Sequence, residues 1–178
     1  MRVISGKARG ATLKTPEGLQ TRPTADRVKE AMFSIIQFDL PQARILDLFG
    51  GTGQLGIEAL SRGAGSAVFV DESEKACGLI RENLKRTKLT GQVIRSDYMN
   101  FLKNTRGKFD IIFLDPPYAE VFLENSLKMI TEIDILQSSG IIVTERSLDK
   151  AILPEFAGFS RSRDYKYGNT LLTIYRKE

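Results

Sequence analysis

The chain has no histidine and a single cysteine, Cys77, in 178 residues. The first absence excludes Ser–His and Cys–His nucleophilic catalysis and the usual zinc sites. The second excludes an internal disulfide and any iron–sulfur cluster held by this chain alone. Cys77 is expected as a packing residue on a helix after Asp71, in a protein of the reducing cytoplasm. No apolar run approaches the length that spans a bilayer, and the polar start lacks the apolar segment of a signal peptide. Internal repeats, low-complexity tracts and linkers are also missing, so a second large domain is not expected. What remains is an ordinary soluble composition, 42% hydrophobic and 27% charged, in a length that suits one domain with a sheet covered on both faces.

The excess of positive charge is confined to one end. The formal net charge is +4, and residues 1–30 carry all of it. Seven basic side chains stand there (Arg2, Lys7, Arg9, Lys14, Arg22, Arg27, Lys29) against three acids (Glu17, Asp26, Glu30). A basic arm ahead of a neutral domain suits a phosphate-rich partner, although a solvated surface segment would read the same. Arg2, Lys7, Arg9 and Arg27 are the candidate phosphate contacts, and Arg22 the candidate for the carboxylate of a small ligand.

Residues 2–14 read as a small hairpin with Gly6 and Gly10 near its turn, followed by turn chemistry at Thr15-Pro16-Glu17-Gly18. Thr24 can cap a helix running to about Phe38, whose stripe of Val28, Ala31, Met32, Ile35 and Ile36 is a core face. Pro41 ends the segment. From Arg44 onward, strands near 44–48, 66–70, 92–95, 109–114 and 139–145 alternate with helices near 54–62, 73–87, 97–104 and 119–131. That alternation predicts an α/β fold with a parallel sheet and right-handed crossovers. The tail differs: 159–167 and 170–176 flank Gly168-Asn169, a two-residue hairpin signal.

Two motifs carry chemistry. In the first, strand Ile45-Leu46-Asp47-Leu48 runs through Phe49-Gly50-Gly51-Thr52-Gly53 into a helix. Gly51, Gly53 and Gly56 fit the dinucleotide pattern literally, and a plain strand-to-helix turn would also use such glycines. Asp47 at the strand's mouth disfavours a pyrophosphate there and favours an ammonium or sulfonium group. About twenty residues past the glycines, Asp71 ends another strand, where a carboxylate can take both ribose hydroxyls; it could equally cap the next helix. A third short strand ends in Asp97. In the second motif, Asp115-Pro116-Pro117-Tyr118 follows the buried strand Phe109–Leu114. The prolines fix a rigid loop that offers a carboxylate, free carbonyls and an aromatic face, a set suited to a flat ring bearing an exocyclic amine. Acids at four strand ends (Asp47, Asp71, Asp97, Asp115) suit a nucleoside with a cationic amino-acid tail, which describes S-adenosylmethionine.

With Asp-Leu-Phe-Gly-Gly-Thr-Gly and Asp-Pro-Pro-Tyr together, the chain resembles class I S-adenosylmethionine-dependent methyltransferases acting on an amino nitrogen. The blocks Arg2–Gly10, Thr21–Ala31 and Leu55–Ala64 resemble the RsmD family, and the likeness runs to Tyr175. Gly50 and Thr52 stand where alanine and serine are common in such loops, and Ala11 where a basic residue is frequent. The resemblance implies a Rossmann-like class I methyltransferase fold with a mostly parallel seven-stranded sheet and a C-terminal antiparallel hairpin. It implies one domain over 1–178, with 1–40 an RNA-binding hairpin and helix and 41–178 the catalytic core. It further implies methyl transfer from S-adenosylmethionine to N2 of a guanine in bacterial 16S ribosomal RNA, free or within assembly particles, by a cytoplasmic monomer without a metal. The expected catalytic residues are Asp115, Pro116, Pro117 and Tyr118. The expected cofactor-binding residues are Asp47, Phe49, Gly51, Gly53, Asp71, Glu72, Asp97, Tyr98 and Arg22, and Arg2, Lys7, Arg9 and Arg27 become RNA contacts. The alternatives are an amino-methyltransferase on adenine N6 or protein glutamine, a non-catalytic RNA-binding assembly factor, and an NAD-dependent oxidoreductase.

Overall fold

The computed structural model describes residues 1–16, 23–116, 119–149 and 154–178, with the backbone alone at 23–25 and 119–120. Glu17, Gly18, Arg22, Pro117, Tyr118 and the Thr24 side chain lie outside the described residues.

Helix α1 (Pro23–Ile35) opens on a proline, whose missing N–H costs nothing in a first turn. It ends before the expected Phe38. Val28, Met32 and Ile36 are buried as the stripe requires, and so is Phe33, which the stripe omitted. The Phe33 ring meets Phe113 at 5.6 Å.

Strands β1 (Arg44–Asp47), β2 (Ser66–Asp71), β3 (Gln92–Arg95), β4 (Phe109–Leu114) and β5 (Leu136–Ser147) alternate with α2 (Gln54–Ser61), α3 (Glu74–Thr87), α4 (Tyr98–Asn104) and α5 (Ala119–Glu132). The five strands pair in parallel in the order β3-β2-β1-β4-β5. Strand β5 begins earlier than expected because Leu136 already pairs with Phe109. The register then shifts before Ile111, where Ser139 takes φ 61.

The tail contains three strands, β6 (Phe159–Arg161), β7 (Tyr165–Tyr167) and β8 (Thr170–Lys177). Strand β8 lies antiparallel to β5 and takes both β6 and β7. Since β5 fills one edge of β8, β6 and β7 share the other. The sheet therefore has eight strands in seven lanes, and the single strand expected over 159–167 is split. Arg161 pairs with Tyr175 and Tyr165 with Leu172, four steps against three, which is a β-bulge. Asp164 at the bulge accepts from Arg146 at 2.7 Å, from Arg161 at 3.0 Å and from Thr173.

Side chains alternate across the sheet. Ile45, Phe69, Ile111, Phe113, Ile141, Val143 and Leu172 face α1, α2, α3 and the N-terminal arm. Leu46, Val68, Ile112, Leu114 and Ile142 face α4 and α5. Cys77 is buried on α3, as expected. Among the described residues, no helix is long and apolar enough to cross a membrane, and no group of three candidate ligands could hold a metal.

The arm is less regular than a hairpin. One antiparallel bridge, Arg2 to Thr12, replaces the expected ladder. Helix α2 holds the arm instead. The Ile4 and Ser5 amides donate to the Glu58 carboxylate at 2.8 and 3.0 Å, and the Ala8 amide to Ser61 Oγ at 2.9 Å. Gly6 sits at φ +84, where a Cβ would lie 1.8 Å from the Ser61 carbonyl oxygen, so no other residue fits without moving the arm.

Candidate active site

The strand order reverses between β1 and β4, the place where open α/β sheets bind ligands beyond their carboxyl ends. Clefts that take small molecules measure roughly 300–1,000 Å³; the one observed there measures about 610 Å³. Its lining includes Asp47, Phe49, Gly51, Asp71, Glu72, Asp97, Tyr98, Asp115 and Pro116, so nine residues singled out from the sequence meet in one space. Leu48 and Thr52 of the glycine-loop motif also line it, as do Phe122 and Met1, which nothing in the sequence pattern marked.

The glycine loop is built by its turn. Gly53, at φ 78, starts α2 in the left-handed region and accepts from Ile57 at 2.9 Å. It is buried under Ile57 and Ile80 and does not line the cleft, so its expected ligand contact is replaced by a role in shaping the loop. The Gly50 amide donates to the Val70 carbonyl at 2.8 Å, which ties the loop to β2. Asn83, fully buried on α3, donates to the Thr52 carbonyl at 2.9 Å and exchanges two hydrogen bonds with the Lys14 backbone at 2.7 and 3.0 Å.

The acids differ in what holds them. Asp47 is 2% exposed and accepts from the Gly56 amide at 3.0 Å. Burial pushes its carboxyl up to about 7, against the pull of the Gly56 N–H, with negative Asp115 and Asp71 raising it further. Asp71 accepts from the Gly51 and Ser73 amides, both at 2.9 Å. Ser73, not Asp71, caps α3, its Oγ accepting from Ala76 at 3.3 Å. Asp97 lies two residues past the end of β3 and caps α4 through the Asn100 amide at 2.9 Å. Asp115 follows β4 directly and burial raises its carboxyl. Beside it, within β5, Glu145 is raised by burial and by Asp115. Phe49, Tyr98 and Phe122 form an aromatic wall, with ring centroids 5.5 and 5.8 Å apart about Tyr98.

The basic residues divide. Arg2, Arg9 and Arg27 line a second groove of about 420 Å³ together with Asp26 and Glu30, and Arg2 Nε lies 3.4 Å from Asp26. Lys7 is exposed outside that groove. Lys29, counted with the basic arm, is 3% exposed; its Nζ donates to the Arg2 carbonyl at 2.6 Å and pairs with Glu58 at 3.4 Å. Lys14 pairs with Glu82 at 2.9 Å. Buried Glu58, which also takes Arg62 at 2.8 Å, had no signal beyond its place in a helix.

Residues 1–176 match the family described as Conserved hypothetical protein 95. A Bacillus subtilis protein named "Putative rRNA methyltransferase YlbH" is 45% identical over 99% of both chains. The Escherichia coli "Ribosomal RNA small subunit methyltransferase D" is 30% identical over 100% of this chain and 90% of its own. A solved structure, "Putative methyltransferase yhhF from Escherichia coli", superposes with a TM-score of 0.87 at 29% identity, covering 100% of this chain and 98% of the other. With the motifs, the fold and the cleft in agreement, the chain belongs to the Conserved hypothetical protein 95 family, which is the RsmD family.

Proposed function

We propose that this chain is an S-adenosylmethionine-dependent methyltransferase that modifies the exocyclic N2 amine of a guanine in bacterial 16S ribosomal RNA. The observation that carries the reading is the line of acids Asp71, Asp47 and Asp115 across adjacent strand ends, facing a cleft with an aromatic wall. The names of the Bacillus subtilis and Escherichia coli relatives support ribosomal RNA, and the small subunit, as the substrate class.

The donor set fits S-adenosylmethionine. Asp47 spends one acceptor position on Gly56 and keeps the rest for a cationic group. Asp71, with Glu72 beside it, is placed for ribose hydroxyls, and Phe49 and Tyr98 offer faces for a purine. Asp97 spends one oxygen on its helix and keeps the other. When bound, the cofactor supplies an electrophilic methyl group on a sulfonium.

The chain's own part is alignment and charge. Asp115 and the Pro116 carbonyl, both at the cleft, are assigned to accept the two N–H bonds of the exocyclic amine. Guanine delocalises that nitrogen's lone pair into the ring, so holding both N–H bonds toward acceptors favours a pyramidal nitrogen whose lone pair is free to react. The Asp115 carboxylate stabilises positive charge as it develops on nitrogen. Tyr118, outside the described residues, is assigned the stacking face for the base, which must leave its own stack to react. Arg2, Arg9 and Arg27 are assigned to RNA phosphates. Lys7 joins them as an exposed cation, and Arg22 is assigned to the cofactor carboxylate. The protein works as a cytoplasmic monomer on this reading.

The test is transfer of labelled methyl from S-adenosylmethionine to RNA, DNA and protein fractions, followed by mass spectrometry of digested 16S RNA. N2-methylguanosine at one position is the expected product. Label in N6-methyladenosine or in protein would overturn the reading.

A further inference from the structure

Glu145 has no part in the chemistry above, yet the fold sets it beside the residue that does. Leu114 pairs with Thr144 in parallel register, so the next residues along, Asp115 just past β4 and Glu145 still within β5, lie side by side. Side-chain alternation puts both on the face of Phe113 and Val143. Asp71, Asp47, Asp115 and Glu145 thus share one face across β2, β1, β4 and β5, with Asp47 set two residues back from the others. The first three line the cleft and Glu145 does not. This acid cluster therefore has a cofactor side, over β1 and β2, and a second side, over β5, with Asp115 between them.

Glu145 is only half-buried, so it can be reached. Among the described residues, none donates a hydrogen bond to its carboxyl or to that of Asp115, whereas Asp47, Asp71 and Asp97 each accept a backbone amide. Two adjacent carboxyls with acceptor positions to spare can take donors that arrive with a ligand. Burial raises both carboxyls and Asp115 raises Glu145 further, and the N–H donors of a bound guanine favour the ionised, accepting forms.

We infer that Glu145 accepts the N1–H of the target guanine and so sets the choice of base. The inference rests on the guanine-N2 reading above. Guanine presents three consecutive donors, N1–H and one N2–H on its Watson–Crick edge and the second N2–H beside N3. Against these stand three acceptors on this reading, Glu145 beside Asp115 and the carbonyl of the next residue, Pro116. Adenine offers an amine but places a lone pair at N1, which a carboxylate repels. Discrimination is strongest where a missing donor leaves a buried acceptor unpaired.

The experiment uses 2-aminopurine, which keeps the 2-amine and lacks N1–H. Once the methylated guanine has been mapped, small-subunit RNA is prepared with 2-aminopurine at that position alone, and kcat/KM is compared with guanine RNA. Wild-type protein should prefer guanine by about tenfold or more. Glu145→Gln, whose amide can donate to N1, should lose activity on guanine and narrow that preference severalfold, while Glu145→Asp restores part of it. Calorimetric titration with S-adenosylmethionine shows that each variant is folded. An unchanged guanine to 2-aminopurine ratio in Glu145→Gln overturns the inference and leaves the functional reading standing. Absence of N2-methylguanosine in the wild-type reaction overturns both.

Discussion

The Gly56 amide donates to the sealed carboxyl of Asp47 at 3.0 Å, so the first turn of α2 is fastened to the end of β1 through an acid that titrates near neutrality. The ordinary value is 3.8 and the folded one about 7. Between them the folded protein keeps a proton that the unfolded chain has released. The contribution is full below the lower value and is lost as pH rises through the upper one. Asp47→Asn keeps an oxygen for Gly56 and removes the charge. The cofactor-free variant should gain melting temperature over wild type at pH 8 and gain little at pH 5, while S-adenosylmethionine affinity falls about tenfold or more. Equal shifts at both pH values would show that another group titrates.

Asp115→Ala removes the acceptor at the centre of the acid cluster. Turnover on RNA should fall by roughly 10²–10³, with cofactor affinity nearly kept, because Asp47, Asp71 and Asp97 remain. Single-turnover rates and calorimetry separate the two effects. A variant with wild-type turnover would take Asp115 out of the chemistry.

The groove shared by Arg2, Arg9 and Arg27 predicts a salt dependence. Replacing Arg2 and Arg9 by alanine should lower the slope of log affinity against log salt by roughly one to two. Filter binding of 16S RNA between low and moderate salt reads this directly, and an unaltered slope would place the phosphate contacts elsewhere.

Glu58 is a stability residue at the junction of the N-terminal arm and α2. Glu58→Ala strands buried Lys29 and leaves the Ile4 and Ser5 amides without their acceptor. The cost should be about 3–5 kcal/mol in denaturant unfolding. Gly6→Ala, which drives a Cβ into the Ser61 backbone, should destabilise the same junction. Near-neutral unfolding curves for both would mean that the arm is not held as described.

The alternating core was legible because glycine and aspartate punctuate it: β1, β2 and β4 fall within a residue of their expected bounds. Most of the acid cluster was legible for the same reason, since each acid ends a run of apolar residues. Long-range contacts were not. Nothing local in Lys29 reveals Glu58, and nothing in Asp164 reveals the arginines and threonine that draw it into a bulge. Phe122 reaches the cleft by its position on α5, and Glu145 meets Asp115 only through strand register. Periodicity reports which face a residue takes, and these partners depend on which elements pack together.

Asn83 holds Thr52 in the glycine loop with one hydrogen bond and Lys14 at the end of the arm with two. This one amide is a rivet common to two surfaces that the proposed function assigns to different molecules. Slackening it would loosen the grip on a small co-substrate and on a polymer in the same stroke, so the two affinities are expected to drift together in any variant of this position.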